Sequence, residues 1–139
     1  MYKIVVDYTP TQIDNNAIME GLITSYERTT GQPRDTEFSV FLKNDSGEIF
    51  GGIQAHFDTE SVYIEYFWVQ ENMRKLGYGS KLLNAAEEEA IKYGCMFSTT
   101  DTWSFQAEGF YLKNGYERIG EIKNYWFEHS RIFLRKKLK

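Results

Sequence analysis

Residues 69–83 read Val-Gln-Glu-Asn-Met-Arg-Lys-Leu-Gly-Tyr-Gly-Ser-Lys-Leu-Leu and join an aromatic, β-prone run to an amphipathic helix through an Arg-x-x-Gly-x-Gly turn. Such a turn gathers consecutive backbone N–H groups and a helix N-terminus around one point, which attracts a polyphosphate. Gly77 and Gly79 let the backbone approach a ligand where a Cβ would intrude, and they tolerate positive φ. Arg74 and Lys75 add positive charge beside the same turn. Two other phosphate motifs are excluded. A dinucleotide fingerprint needs a small residue where Leu82 stands, and a Walker loop needs Gly-Lys followed by Ser or Thr, whereas the order here is Gly79-Ser80-Lys81. A Gly-x-Gly before a helix is also an ordinary tight turn. The preceding strand, the nearby Arg74 and the strong helix that follows favour the phosphate reading.

The elements that must position this turn follow from periodicity. Tyr2–Asp7 is rich in Ile and Val and predicts a strand. From Thr11 to Thr30, apolar residues recur at three-to-five spacing and predict helix, ended by Gly31 and Pro33. Glu37–Lys43, Glu48–Asp58 and Ser61–Val69 predict an antiparallel meander with a turn at Asn44-Asp45-Ser46-Gly47. A helix over Ser80–Tyr93 buries Leu82, Leu83, Ala86 and Ala90 and stops at Gly94. Cys95–Asp101 is a further strand, Ser104 is read as the N-cap of a short helix through Lys113, and Tyr116–Ile122 with Arg131–Leu138 forms a last hairpin. The order β-α-β-β-β-α-β-α-β-β implies an α/β (α+β) fold with a mixed, mostly antiparallel sheet flanked by helices. One parallel crossover, from Ser61–Val69 to Cys95–Asp101, puts the glycine turn at the carboxyl end of a strand, where ligands of α/β folds sit.

At 139 residues the chain is expected to be a single domain, 1–139, able to bury roughly two-thirds of its unfolded surface. The net charge of −4 argues against nucleic acid as a partner. One cysteine, Cys95, excludes an internal disulfide framework and a cysteine-based zinc site; it reads as a small buried hydrophobe. No metal is called for. With no signal peptide or membrane-length apolar stretch, a cytoplasmic location is expected.

The turn resembles the acetyl-coenzyme A loop of the GCN5-related N-acetyltransferases, whose pattern is Val-x-Pro-Glu-x-Arg-x-x-Gly-x-Gly. Val69, Arg74, Gly77 and Gly79 fall in register, and Glu71 stands where proline is common. Downstream, the family pattern Asn-x-x-Ala-x-x-Phe-Tyr-x-x-x-Gly-Phe is matched by Ser104, Ala107, Phe110-Tyr111 and Gly115-Tyr116, with serine replacing asparagine. The resemblance spans nearly the whole chain and extends to small bacterial members. It implies an enzyme that moves the acetyl group of acetyl-CoA directly to a primary amine of a small-molecule or peptide acceptor. Dimers are common in such folds, and no sequence signature here marks one.

The same resemblance implies roles for individual residues. Phe67 and Val69 would meet the pantetheine arm. The amides of Arg74, Lys75, Leu76, Gly77, Tyr78, Gly79 and Ser80 would cradle the pyrophosphate, with Ser104 also on the cofactor side. Tyr111 matches the family's general acid, its alternative being a helix aromatic packed in the core. A tyrosine of pKa ~10 gives its proton to a thiolate of pKa ~8.5 only uphill, by roughly 2 kcal/mol, so late delivery is expected. Glu65 shares a strand face with Tyr63 and is the candidate base; its alternative is a solvated strand carboxylate. His56 and His129 are not expected in catalysis. Two other readings stand beside the enzyme: a non-catalytic acyl-CoA-binding sensor of the same fold, and a nucleotide-binding domain, which the failed fingerprints disfavour.

Overall fold

The computed structural model describes residues 1–31 and 36–139, which form two compact units, Met1–Arg34 and Asp35–Lys139. The first unit is built on helix α1 (Gln12–Thr30). Thr11 caps it, its hydroxyl oxygen accepting the Asp14 N–H at 3.1 Å, and Gly31 closes it in the left-handed region at φ 69°. Pro33, also expected to stop this helix, lies outside the described residues. Residues 2–7 carry no strand, contrary to expectation. Ile and Val raise β propensity, but a strand exists only where a neighbour takes up its N–H and C=O groups, and composition cannot supply the neighbour.

The second unit runs β1 (Glu37–Lys43), β2 (Ile49–Asp58), β3 (Ser61–Val69), α2 (Tyr78–Tyr93), β4 (Phe97–Trp103), α3 (Glu108–Lys113), β5 (Glu117–Trp126) and β6 (His129–Lys137). The sheet order is β1-β2-β3-β4-β6-β5, and only β3–β4 is parallel, as the crossover requires. At the first hairpin, the Asn44 side-chain oxygen accepts the N–H groups of Ser46 and Glu48 at 3.0 and 2.9 Å, and Gly47 takes φ 83°.

Helix α2 lies across β1, β2 and β3. Its stripe Leu82, Leu83, Ala86 and Ala90 forms one core with Ile53, Ala55, Phe57, Val62 and Ile64, extended by Ile132 and Leu134. Each fully buried Leu or Ile of this set stabilises by about 1.5–3 kcal/mol. Cys95 joins the core as a buried thiol. Ser104 does not cap α3, which begins at Glu108 after Ala107. Its N–H donates to Ser130 O at 2.8 Å and its hydroxyl oxygen accepts the Ser130 N–H at 2.9 Å, so it ties the end of β4 to the start of β6.

One charge sits on the buried stripe. Glu87 accepts from Lys136 Nζ at 2.7 Å and from the Tyr116 hydroxyl at 2.8 Å, and Tyr116 in turn lies 2.7 Å from Ser98 Oγ. Having one proton, the Tyr116 hydroxyl donates to the carboxylate and accepts from the serine. Burial, reinforced by Glu87, pushes its ionisation well above that of a free tyrosine, so the donor persists. A buried carboxylate is tolerable only with such partners. Tyr116→Phe should therefore lower the unfolding free energy by about 1–3 kcal/mol in urea denaturation with little change in m. A loss within about 0.5 kcal/mol, the usual scale for a surface change, would show that the network contributes nothing.

Candidate active site

The site begins where β3 and β4 part. Their ladder has four pairs, from Ser61↔Phe97 to Ile64↔Thr100, and beyond it β3 continues alone on that edge to Val69. Thr100 Oγ1 donates to Ile64 O at 3.0 Å, closing the ladder with a side chain. At the far end, Arg74 Nε donates to Val69 O at 2.8 Å. Side chains thus satisfy both ends of the freed stretch.

A β-bulge sits at the start of this stretch. Gln54 pairs with Tyr66 and Ala55 with Ile64, which leaves Glu65 without an opposite residue. Strict alternation from Tyr63 would put Phe67 and Val69 on the face of Glu65; the bulge turns them to the α2 side. There the Phe67 ring meets Phe110 at 5.5 Å and Tyr111 at 6.3 Å.

Beyond Val69 the chain makes a 3-10 turn at Glu71–Met73 and enters α2. Gly77 is the N-cap at φ 86°, Lys75 takes φ 62°, and among the described residues no side chain caps the helix. The first N–H groups of α2 are orphan donors. Arg74, Lys75, Leu76 and Gly77 are exposed, Tyr78, Gly79 and Ser80 half-buried. Gly79 also has a packing role that the sequence did not suggest. It lies inside α2, and a Cβ there would come within 3.1 Å of the Phe110 ring, so it lets α3 pack closely against the start of α2.

Tyr111, on α3, is 4% exposed. Burial raises its pKa first; the neighbouring Thr100 hydroxyl opposes this and the charge of Asp101 adds to it. Its hydroxyl is thus held protonated beside the last ladder pair. Tyr63, Asp101 and Arg131 gather on the opposite face. The Tyr63 hydroxyl donates to Asp101 Oδ2 at 2.6 Å, and Arg131 Nη2 donates to the same oxygen at 2.8 Å. Burial, then Asp101, pushes the Tyr63 pKa up to about 12. Glu65 faces His56 on this side, 3.8 Å away, and stays well exposed. A shallow pocket of about 170 Å³ lined by Glu37, Gln54 and Glu65 opens beside it. His129 packs on Phe105, away from these groups.

The expected residues therefore form two groups. Phe67, Val69 and Tyr111 surround the parting of the strands, and Arg74 to Ser80 form the loop below it. Glu65 looks out on the other face, and Ser104 is engaged with Ser130. Asp101 and Arg131 were not foreseen. Asp101 is the residue just past the last parallel pair, and register does not reveal itself in one chain. Among the described residues no group of three His, Cys, Asp or Glu side chains is arranged to hold a metal ion, and no helix is long and apolar enough to cross a membrane.

A parallel crossover, a glycine turn opening α2, a parted strand pair and a buried tyrosine thus lie together in one α+β unit. Residues 5–116 match the acetyltransferase (GNAT) family, and the chain belongs to that family of acyltransferases. It is 34% identical over 89 residues to blasticidin-S acetyltransferase of Streptomyces morookaense, covering 63% of this chain and 65% of that protein, just under two thirds of its length. It is 32% identical over 106 residues to an acetyltransferase of Agrobacterium fabrum, covering 76% and 77% of the two chains. The crystal structure of an acetyltransferase from Bacillus cereus superposes with a TM-score of 0.80 at 32% identity, over 99% of both chains.

Gly77 has no atom near its would-be Cβ, so only backbone strain opposes a side chain there. Gly77→Ala should cost about 1–2 kcal/mol in thermal denaturation, the penalty of a left-handed L-residue. Unchanged stability would mean that the loop does not depend on this conformation.

Proposed function

We propose that the chain is a single N-acetyltransferase domain that moves the acetyl group of acetyl-CoA directly to a primary amine, without a covalent enzyme intermediate. The observation that carries this reading is the buried Tyr111 hydroxyl beside the end of the β3–β4 ladder, one strand-length from an uncapped helix N-terminus. The residues fit a coenzyme A ester. Orphan amides from Arg74 to Ser80 and the charges of Arg74 and Lys75 suit a pyrophosphate. The unpaired β3 edge around Phe67 and Val69 suits the amides of a pantetheine arm. Ser104 keeps its own proton to donate while accepting from Ser130.

The bound thioester supplies an activated acetyl group. The amine attacks in its neutral form, so its proton must leave, and Glu65, exposed and beside His56, takes it directly or through water. Tyr111 hydrogen-bonds the departing sulfur. Because burial holds its pKa above the ordinary ~10, it releases its proton only as negative charge develops on sulfur.

The relative that acts on blasticidin S makes that compound the first acceptor to try. Thiol release from acetyl-CoA should rise on adding at least one of blasticidin S, kanamycin, spermidine or lysine methyl ester. Coenzyme A binding by calorimetry without amine-dependent release would return the chain to a non-catalytic sensor. Tyr111→Phe should lower kcat on the order of 100-fold while the KM for acetyl-CoA stays within about twofold. An unchanged kcat would remove Tyr111 from the reaction.

A further inference from the structure

Asp101 belongs to none of the roles above, yet it stands where the two substrates would have to meet. It is the first β4 residue past the last pair with β3, and it points to the face opposite α2, together with Tyr63. Its charge reaches the Tyr111 hydroxyl on the other side of the sheet. Both of its donors, the Tyr63 hydroxyl and Arg131 Nη2, bind Oδ2. Among the described residues no hydrogen bond reaches Oδ1, and the side chain is 18% exposed. A carboxylate accepts about four hydrogen bonds, so one edge has capacity left.

The two donors are themselves fixed. The Arg131 guanidinium lies over the rings of Trp103 and Tyr125, at 5.7 and 5.3 Å, and over Phe133 at 5.7 Å. Its Nη1 also contacts the Tyr125 hydroxyl at 3.3 Å. Tyr63 is paired against Thr99 in the ladder and packs on His56. Held from two sides, the Asp101 carboxylate cannot turn freely. Glu65 differs: it is 43% exposed, and among the described residues its one ion-pair contact is the long one to His56.

We infer that Asp101 positions the acceptor, its Oδ1 accepting an N–H of the neutral amine and aiming the nitrogen lone pair into the gap between β3 and β4. This rests on the acetyl-transfer reading. Arg131 already compensates the carboxylate's charge, so the group favours the neutral, attacking form of the amine over an ammonium ion. The two carboxylates then divide the work, Asp101 orienting the nitrogen and Glu65 receiving its proton. The alternative is a purely structural clamp between β3, β4 and β6.

The test is Asp101→Asn, which preserves shape, assayed beside the unmodified protein with acetyl-CoA and each of blasticidin S, kanamycin, spermidine and lysine methyl ester. For every amine that is turned over, kcat/KM for the amine should fall about 10- to 100-fold, the range covered by a lost hydrogen bond to a charged group. The KM for acetyl-CoA should stay within about twofold, a split that a general loss of structure does not produce. Tyr63→Phe, which frees the carboxylate without removing it, should give the same split with a smaller loss. Amine kcat/KM within threefold in Asp101→Asn would overturn the inference, as would a loss shared equally by amine and acetyl-CoA. If the unmodified protein shows no amine-dependent release, the acetyl-transfer reading fails and this inference fails with it; an active protein indifferent to Asp101→Asn sinks the inference alone.

Discussion

Two neighbouring strands cannot keep a ladder and leave a gap between them over the same residues. In this chain the parallel β3–β4 ladder stops after Ile64↔Thr100, and the rest of the site depends on that stop. The cost of ending a ladder inside a domain is a set of unsatisfied carbonyl and amide groups. Thr100 Oγ1 on Ile64 O and Arg74 Nε on Val69 O cover the two ends of the opened stretch, while β2 continues to hold its other edge. The strand is therefore paired on one side and available on the other.

The bulge at Glu65 is the second consequence of the same constraint. One extra residue on β3 reverses the faces for everything after it. Glu65 and Tyr63 share the outer face with Asp101 and Arg131, while Phe67 joins Phe110 and Tyr111 beneath. Without the extra residue, Phe67 would lie beside Tyr63 and the floor around Tyr111 would lack a ring. Two chemical environments result, a dry one that keeps a phenol protonated and a partly wet one that carries carboxylates.

Rigidity behind the opening comes from α2. Its apolar stripe grips β2 and β3, and Glu87 on the same stripe reaches through Tyr116 and Lys136 to β4, β5 and β6. Helix α2, whose N-terminus is proposed to face a polyphosphate, is thus anchored near its middle by a buried polar network. Gly79 contributes by omission, since the missing Cβ lets Phe110 close over the first turn of α2 and carries Tyr111 toward Thr100.

Much of this was legible in the residues alone. Alternation and turn chemistry located the β1–β2–β3 meander, and the glycine turn marked the start of α2. The spacing from Gly79 to Tyr111 carried the family resemblance. These are local properties, set by periods of two and 3.6 and by the φ values that glycine permits. The strand expected at Tyr2–Asp7 and the cap expected at Ser104 failed because each depended on a partner that neither segment contains. The bulge at Glu65, the packing role of Gly79, and the meeting of Tyr63, Asp101 and Arg131 likewise involve residues 9 to 68 positions apart in the chain. Which face a side chain takes after a bulge, and which distant carboxylate it meets, is decided by register between strands. Register is set by the summed fit of the whole sheet and leaves no local mark in the sequence.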